Sequence, residues 1–237
     1  MRPWLASLLI LLSWLVQSGQ LWGQGTIRYV DPSDQQIYGS LGPKSVYFDL
    51  NGDGVDDVRL RATGSQFDVV PTGNNAVLAI RQPPPDLGSF VVHLNLGLEI
   101  GSSLQPAWSW QRKQTLDPRF DDLGSTILYC DSNGCLGYWS PNGDTAYVGV
   151  RFYEGTQLHY AWIRVRTFAV GGTVFDWAYN TTPDQAILAG AVPEPSTWVL
   201  AIVAALTLLA WSRCKRSHQR FREWCPRSHE GGLHRQR

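Results

Sequence analysis

Between residues 25 and 190, apolar and polar side chains alternate in short runs, and this period of two limits the fold more than any other feature of the chain. The clearest run is Tyr147-Val148-Gly149-Val150-Arg151-Phe152-Tyr153. Val148, Val150 and Phe152 fall on one side of it, and Tyr147, Arg151 and Tyr153 on the other. Successive side chains of a strand leave opposite faces, so the pattern matches a strand with one face in a core. Residues 154–157 (Glu-Gly-Thr-Gln) then read as a hairpin loop. Residues 158–167 read as the returning strand, with Ile163 and Val165 opposite Arg164 and Arg166. Shorter runs lie at 46–50, 58–61, 77–80, 90–96 and 126–129. Turn residues separate them: Gly42-Pro43, Thr72-Gly73-Asn74-Asn75, Pro83-Pro84-Pro85, Asn133-Gly134 and Asn142-Gly143. No helical period of useful length intervenes, and no internal repeat is visible. The pattern predicts an all-β domain over residues 24–191, arranged as a β-sandwich.

The two ends follow different rules. Residues 1–23 have the order of a secretory signal peptide: Arg2, an apolar stretch at 4–16 broken only by Ser7 and Ser13, then small residues at Ser18, Gly19 and Gly23. At the other end, residues 198–211 contain a single polar side chain, Thr207. As a helix this run is on the order of 21 Å long, shorter than a full hydrocarbon core. Its flanks favour a transmembrane helix. Trp198 and Trp211 sit where interfacial aromatics belong, and Arg213, Lys215 and Arg216 form a stop-transfer cluster whose long side chains reach the headgroups. The formal net charge of zero hides an asymmetry. Residues 212–237 hold eight Lys/Arg against Glu223 and Glu230, while residues 3–211 hold 11 Lys/Arg against 18 Asp/Glu. An acidic body between basic ends suits an exported domain with cytoplasmic anchors, and it argues against a nucleic-acid partner. With 43% hydrophobic residues the chain is not of disordered composition.

The sorting motif Val192-Pro193-Glu194-Pro195, followed by the short apolar segment and the basic cluster, resembles a PEP-CTERM sorting signal over residues 192–216. The resemblance implies a Gram-negative host that makes extracellular polysaccharide. It also implies an exosortase-type membrane peptidase as partner, cutting near the motif after the membrane has anchored the chain. Two prolines hold such a segment extended, in the form a protease binds. Signals of this kind end soon after their basic residues, whereas here a polar tail with His218, His229 and His234 continues over 217–237. Residues 160–165, 176–179 and 187–190 resemble, more loosely, the last strands of exported domains bearing this signal. The implied localisation is the inner membrane before processing and the cell surface or extracellular matrix after it.

Within the body, Asp49, Asn51, Asp53, Val55 and Asp57 have the spacing of a calcium loop. Side-chain oxygens at the first, third and fifth positions converge on a hard cation, Gly54 permits the sharp turn, and Val55 offers its carbonyl. Leu60 stands where an EF-hand has its bidentate Glu, and the flanks read as strands. The expectation is therefore a structural calcium site on a β-hairpin, with a metal-free Asn-Gly/Asp-Gly turn as the alternative. Cys130 and Cys135 bracket Asp131-Ser132-Asn133-Gly134. They are expected to form a disulfide bridging the ends of a four-residue hairpin loop, unless an Asn133-Gly134 two-residue turn puts them out of register. Cys214 and Cys225 lie beyond the apolar segment and are expected to stay reduced.

Trp108 and Trp110 share a face if they lie on a strand; they either stack on sugar rings or pack in the core. Asp121-Asp122, or Asp117 with Glu99, supply carboxylates for a polysaccharide hydrolase, and His93 or His159 a base for a Cys nucleophile, but no spacing brings these together. No Gly-x-Ser-x-Gly, phosphate loop or His-rich metal motif is present. The sequence points to a non-enzymatic exported protein. A carbohydrate-binding module for extracellular polysaccharide is the alternative.

Overall fold

The structure is a computed structural model that describes residues 27–82, 88–114, 124–169 and 171–193, with Ala204, Ala205, Thr207 and Leu208. Several sequence expectations lie outside these residues: the signal peptide 1–23, Glu194 and Pro195, most of 198–211, Arg213, Lys215 and Arg216, and the tail 217–237. Asp117, Asp121, Asp122, Cys214 and Cys225 lie outside them too. The chain divides into two units, 1–193 and 194–237. In the second, the described residues are helical, and Thr207 Oγ1 donates to the Ala204 carbonyl at 2.8 Å. Among the described residues no helix is long and apolar enough to cross a membrane.

The described residues of the first unit are all-β. Its strands are β1 (Ile27–Val30), β2 (Gln35–Tyr38), β3 (Lys44–Phe48), β4 (Val58–Ala62), β5 (Gln66–Pro71), β6 (Ala76–Arg81), β7 (Ser89–Val91) and β8 (Glu99–Ile100). They continue with β9 (Ser109–Gln111), β10 (Ser125–Asp131), β11 (Gly134–Gly137), β12 (Asn142–Glu154), β13 (Gln157–Phe168), β14 (Gly171–Asn180) and β15 (Ile187–Leu188). Among the described residues thirteen strands join one mixed sheet in the order β1-β14-β13-β12-β6-β7-β10-β5-β4-β3, with β2, β9 and β11 pairing at its sides. The β7–β10 pair is parallel. β8 and β15 form a separate antiparallel pair.

The central hairpin follows the alternation closely. β12 and β13 pair from Glu154↔Gln157 back to Asn142↔Phe168, around a two-residue Gly155-Thr156 turn. Gly155 has φ 61°, the left-handed conformation such turns require. Val148, Val150 and Phe152 of β12 and Ile163 and Val165 of β13 all enter one core. Phe48, Val58, Leu60, Phe67, Val69 and Ile127, from the β3-β4-β5-β10 half of the sheet, enter the same core. The two halves of one sheet thus bury their apolar faces together. The ring of Phe67 lies so close over Gly172 of β14 that a Cβ there would stand 2.6 Å from it.

Two local expectations are corrected. Asn142-Gly143 is not an inter-strand turn but the start of β12, where Gly143 (φ 90°) sits in an irregularity of the β12–β13 register. The run 90–96 does not stay in the sheet: β7 ends at Val91, and only a Leu94↔Tyr147 bridge follows. β5 holds Asp68 and Pro71 among apolar residues and is buried on both faces, so its sequence lacks the alternation of a half-exposed strand.

The outward side of β12–β14 is also buried. Tyr160 and Trp162 of β13, Ala178 of β14 and Leu78 of β6 join Val92, Leu94, Ile100, Ile187 and Ala189 in a second core. Residues 92–110 and 187–191 therefore cover the face that alternation alone would leave to water. Tyr147, read as outward, packs edge-on against Trp162 with ring centroids 5.2 Å apart. Trp162 Nε1 donates to the Ala191 carbonyl at 3.1 Å, which holds the end of the domain against this face.

Candidate functional site

The 49–57 loop joins β3 to β4, the position expected of a hairpin loop. Its side chains are engaged mainly with the loop's own backbone. Asp49 accepts from the amides of Gly52 (2.7 Å), Gly54 (2.7 Å) and Asp53 (3.2 Å). Asn51 Oδ1 accepts from the Asp53 amide at 3.0 Å, and its Nδ2 donates to Asp53 Oδ2 at 3.1 Å. Asp53 Oδ1 accepts from the Val55 amide at 2.8 Å. Gly52 and Gly54 have φ of 79° and 88°, which aims successive N–H groups at Asp49. The loop thus closes as a chain of Asx-type turns, a geometry in which the Asp49 and Asp53 carboxylates have amide partners.

Asp57 is the exception in burial. It is 4% exposed, accepts from the Leu50 amide at 2.9 Å, and receives Nδ2 of Asn75 at 3.1 Å. Burial is the main cause that pushes its carboxyl up to about 6; the two hydrogen bonds oppose the shift, and Asp53 and Asp49 add to it. A divalent cation beside Asp49, Asp53 and Asp57 would relieve that repulsion, but the carboxylates would have to turn from their amides to share one. Among the described residues no group of three or more His, Cys, Asp or Glu is gathered as a cation site. Val55 is 66% exposed at the tip of the loop.

Residues not singled out from sequence fix this loop. Arg28 Nη1 donates to the Asn51 carbonyl at 2.7 Å, and Trp177 Nε1 donates to the Leu50 carbonyl at 3.2 Å. Asn75, read only as a turn residue, also accepts from the Tyr153 amide at 3.0 Å, so it ties the loop to the central hairpin. Together Asp53, Asp57, Thr72, Asn75 and Tyr153 line a cleft of about 360 Å³. The 72–75 turn was a legible signal; the partners of Asn75 were not.

Cys130 and Cys135 form a disulfide, with Cα atoms 4.1 Å apart. They face each other in the β10–β11 hairpin, where Asp131 pairs with Gly134 around a Ser132-Asn133 turn. The loop is thus a two-residue turn and not the expected four residues, because Asp131 and Gly134 pair in the ladder; it is displaced by one position from Asn133-Gly134, and that shift keeps the cysteines in register. The Asp131 carboxylate accepts from the Asn133 amide at 2.7 Å, and Gly134 follows with φ 136°.

Trp108 and Trp110 do share a face, and that face is turned onto the second core. Trp110 packs against Tyr160 with centroids 5.7 Å apart, and the Arg151 guanidinium lies over its ring at 5.3 Å. His93 Nε2 lies 2.8 Å from Asp144, and His159 is buried with Nδ1 on the Asn180 carbonyl at 2.8 Å; Cys130 and Cys135 are bonded to each other. Glu99 lies on β8. Val192 and Pro193 follow Ala191 at the surface, Val192 being 48% exposed. Comparison with known protein families, with characterised proteins and with solved structures finds no match to this chain.

Proposed function

We propose that this is an exported, non-enzymatic cell-envelope or extracellular-matrix protein, sorted through a PEP-CTERM-type signal and cut there by an exosortase-type peptidase. The observation that carries the reading is the sequence order at 192–216: a Pro-Glu-Pro motif, an apolar segment and the Arg213, Lys215, Arg216 cluster. The end of the β domain supports it. Ala191 is held by Trp162, and the next residues, Val192 and Pro193, are exposed, so the motif begins where packing stops. Residues 1–23 act as the signal peptide, 198–211 as the transmembrane helix and 217–237 as a cytoplasmic tail. The disulfide fits an oxidising compartment.

In the same proposal the body is a β-sandwich made from one rolled sheet, with calcium held at the 49–57 loop in a structural role. Four carboxylates in nine residues, one of them buried, favour that ion. The test of sorting is a Pro193→Ala plus Pro195→Ala variant expressed in the native host. It is expected to accumulate uncut in the inner membrane while the parent leaves that fraction. Equal distribution of the two would remove the sorting role.

A further inference from the structure

One row of the sheet gathers positive charge on the acidic body. Arg151 of β12 stands opposite Ala76 of β6. On the other side of β6, Val77 pairs with Gln111, so the same register carried one residue further sets Arg112 opposite Ala76 as well. Arg151 and Arg112 thus flank a single small residue, about 10 Å apart across two strand spacings. Trp110 backs the pair, with the Arg151 guanidinium at 5.3 Å from its ring.

Among the described residues, two donors in this stack have no acceptor: Arg151 Nε and Trp110 Nε1 are buried without a hydrogen-bond partner. Among the described residues neither arginine is in an ion pair. Among the described residues, Asp184 acts on Tyr160, the β13 neighbour of Arg151, and pairs with neither arginine. Burial lowers the basicity of Arg151, and Arg112 adds repulsion. Gathering two guanidiniums with no paired carboxylate among the described residues is unfavourable unless a ligand supplies the counter-charge.

We infer that Arg151 and Arg112, flanking Ala76 and backed by Trp110, form an oxyanion-binding site. A guanidinium fork suits a carboxylate or a phosphate. The ligand chemistry is therefore shared by the uronate carboxylates of an acidic polysaccharide and by free phosphate. The exported-domain reading bears only on where such a ligand is met, because binding in solution is independent of cutting at 192–195.

The test is calorimetric titration of the full-length chain in detergent with alginate oligosaccharide, inorganic phosphate and, as neutral control, dextran. Binding of alginate or phosphate but not dextran is expected, weakened about tenfold by Arg112→Gln, the loss of roughly one charge-assisted hydrogen bond. Arg112 is exposed, so this variant keeps the fold; Arg151→Gln is expected to weaken binding further. Arg166→Gln, an exposed arginine elsewhere, is expected to bind within about twofold of the parent. Alginate bound more tightly than phosphate identifies a polysaccharide as the source, and the reverse identifies a free anion. No binding of either by the parent chain, or unchanged binding by Arg112→Gln, overturns the site.

Discussion

The two faces of the β12–β13–β14 layer are buried by different means. Its inner face meets the β3-β4-β5-β10 half of the same sheet, strand against strand, through Phe152, Ile163 and Val165 on one side and Leu60, Phe67 and Val69 on the other. Its outer face is covered by segments with little regular structure, 92–110 and 187–191, which seat Leu94, Ile100, Ile187 and Ala189 on Trp162 and Tyr160. The first core depends on alternation and the second on chain that happens to lie across the strands. An apolar residue at an outward position, such as Trp162, is thus the sign of a cover that the strand pattern itself does not identify.

The largest expected effect tests whether the outer cover is as firmly packed as the inner core. Trp162→Ala, at a site 1% exposed, is expected to destabilise by about 3–5 kcal/mol, as is Phe152→Ala on the inner side. Chemical denaturation measures both; a Trp162→Ala loss under about 1 kcal/mol would mean that the cover is loosely held. Next comes the disulfide at the margin of the inner core. Cys130→Ser with Cys135→Ser opens a short loop and is expected to lower stability by about 2 kcal/mol, read against the parent in the same denaturant series.

Calcium bears on the loop that hangs from the inner half of the sheet. At ten times its Kd, calcium is expected to add about 1.4 kcal/mol and raise Tm by a few degrees. Asp53→Ala is expected to abolish that gain, and an identical melting curve with and without calcium would leave the loop as a turn only. The smallest effect concerns the outward side of β5. Asp68 is fully buried opposite Arg61, and burial raises its pKa despite that pairing. Because the folded state holds this proton more tightly, the contribution of Asp68 is greatest in acid and is lost as pH rises from about 4 through the raised folded value. Asp68→Asn is expected to flatten this fall, so that its stability improves relative to the parent as pH rises. A constant difference across that range would mean that Asp68 does not titrate as its burial implies.

The inner core was legible because Val148, Val150 and Phe152 keep strict step with the sheet, and the 154–157 loop declares the hairpin. The outer core was not, since Tyr147 and Trp162 bury outward positions through contacts with residues distant in the chain. The 49–57 loop between two strands was legible, but the sequence did not reveal that its carboxylates fold back on the amides of Gly52, Gly54 and Val55. Asn75 and Arg28 bind that loop across 18 and 23 residues of chain, a separation that no local pattern records. The cysteine pair was legible, while its turn moved by one residue because Asp131 caps the Asn133 amide. The Arg151–Arg112 row depends on register across three strands, which composition cannot supply.

The central claim, export followed by cutting at the sorting motif, is tested most directly by the intact mass of the protein recovered from its native host. The account predicts a mass that lacks residues 1 to about 23 and ends near Pro193–Pro195. A mass that retains residues 198–237 would contradict it and leave a protein that keeps its C-terminal segment.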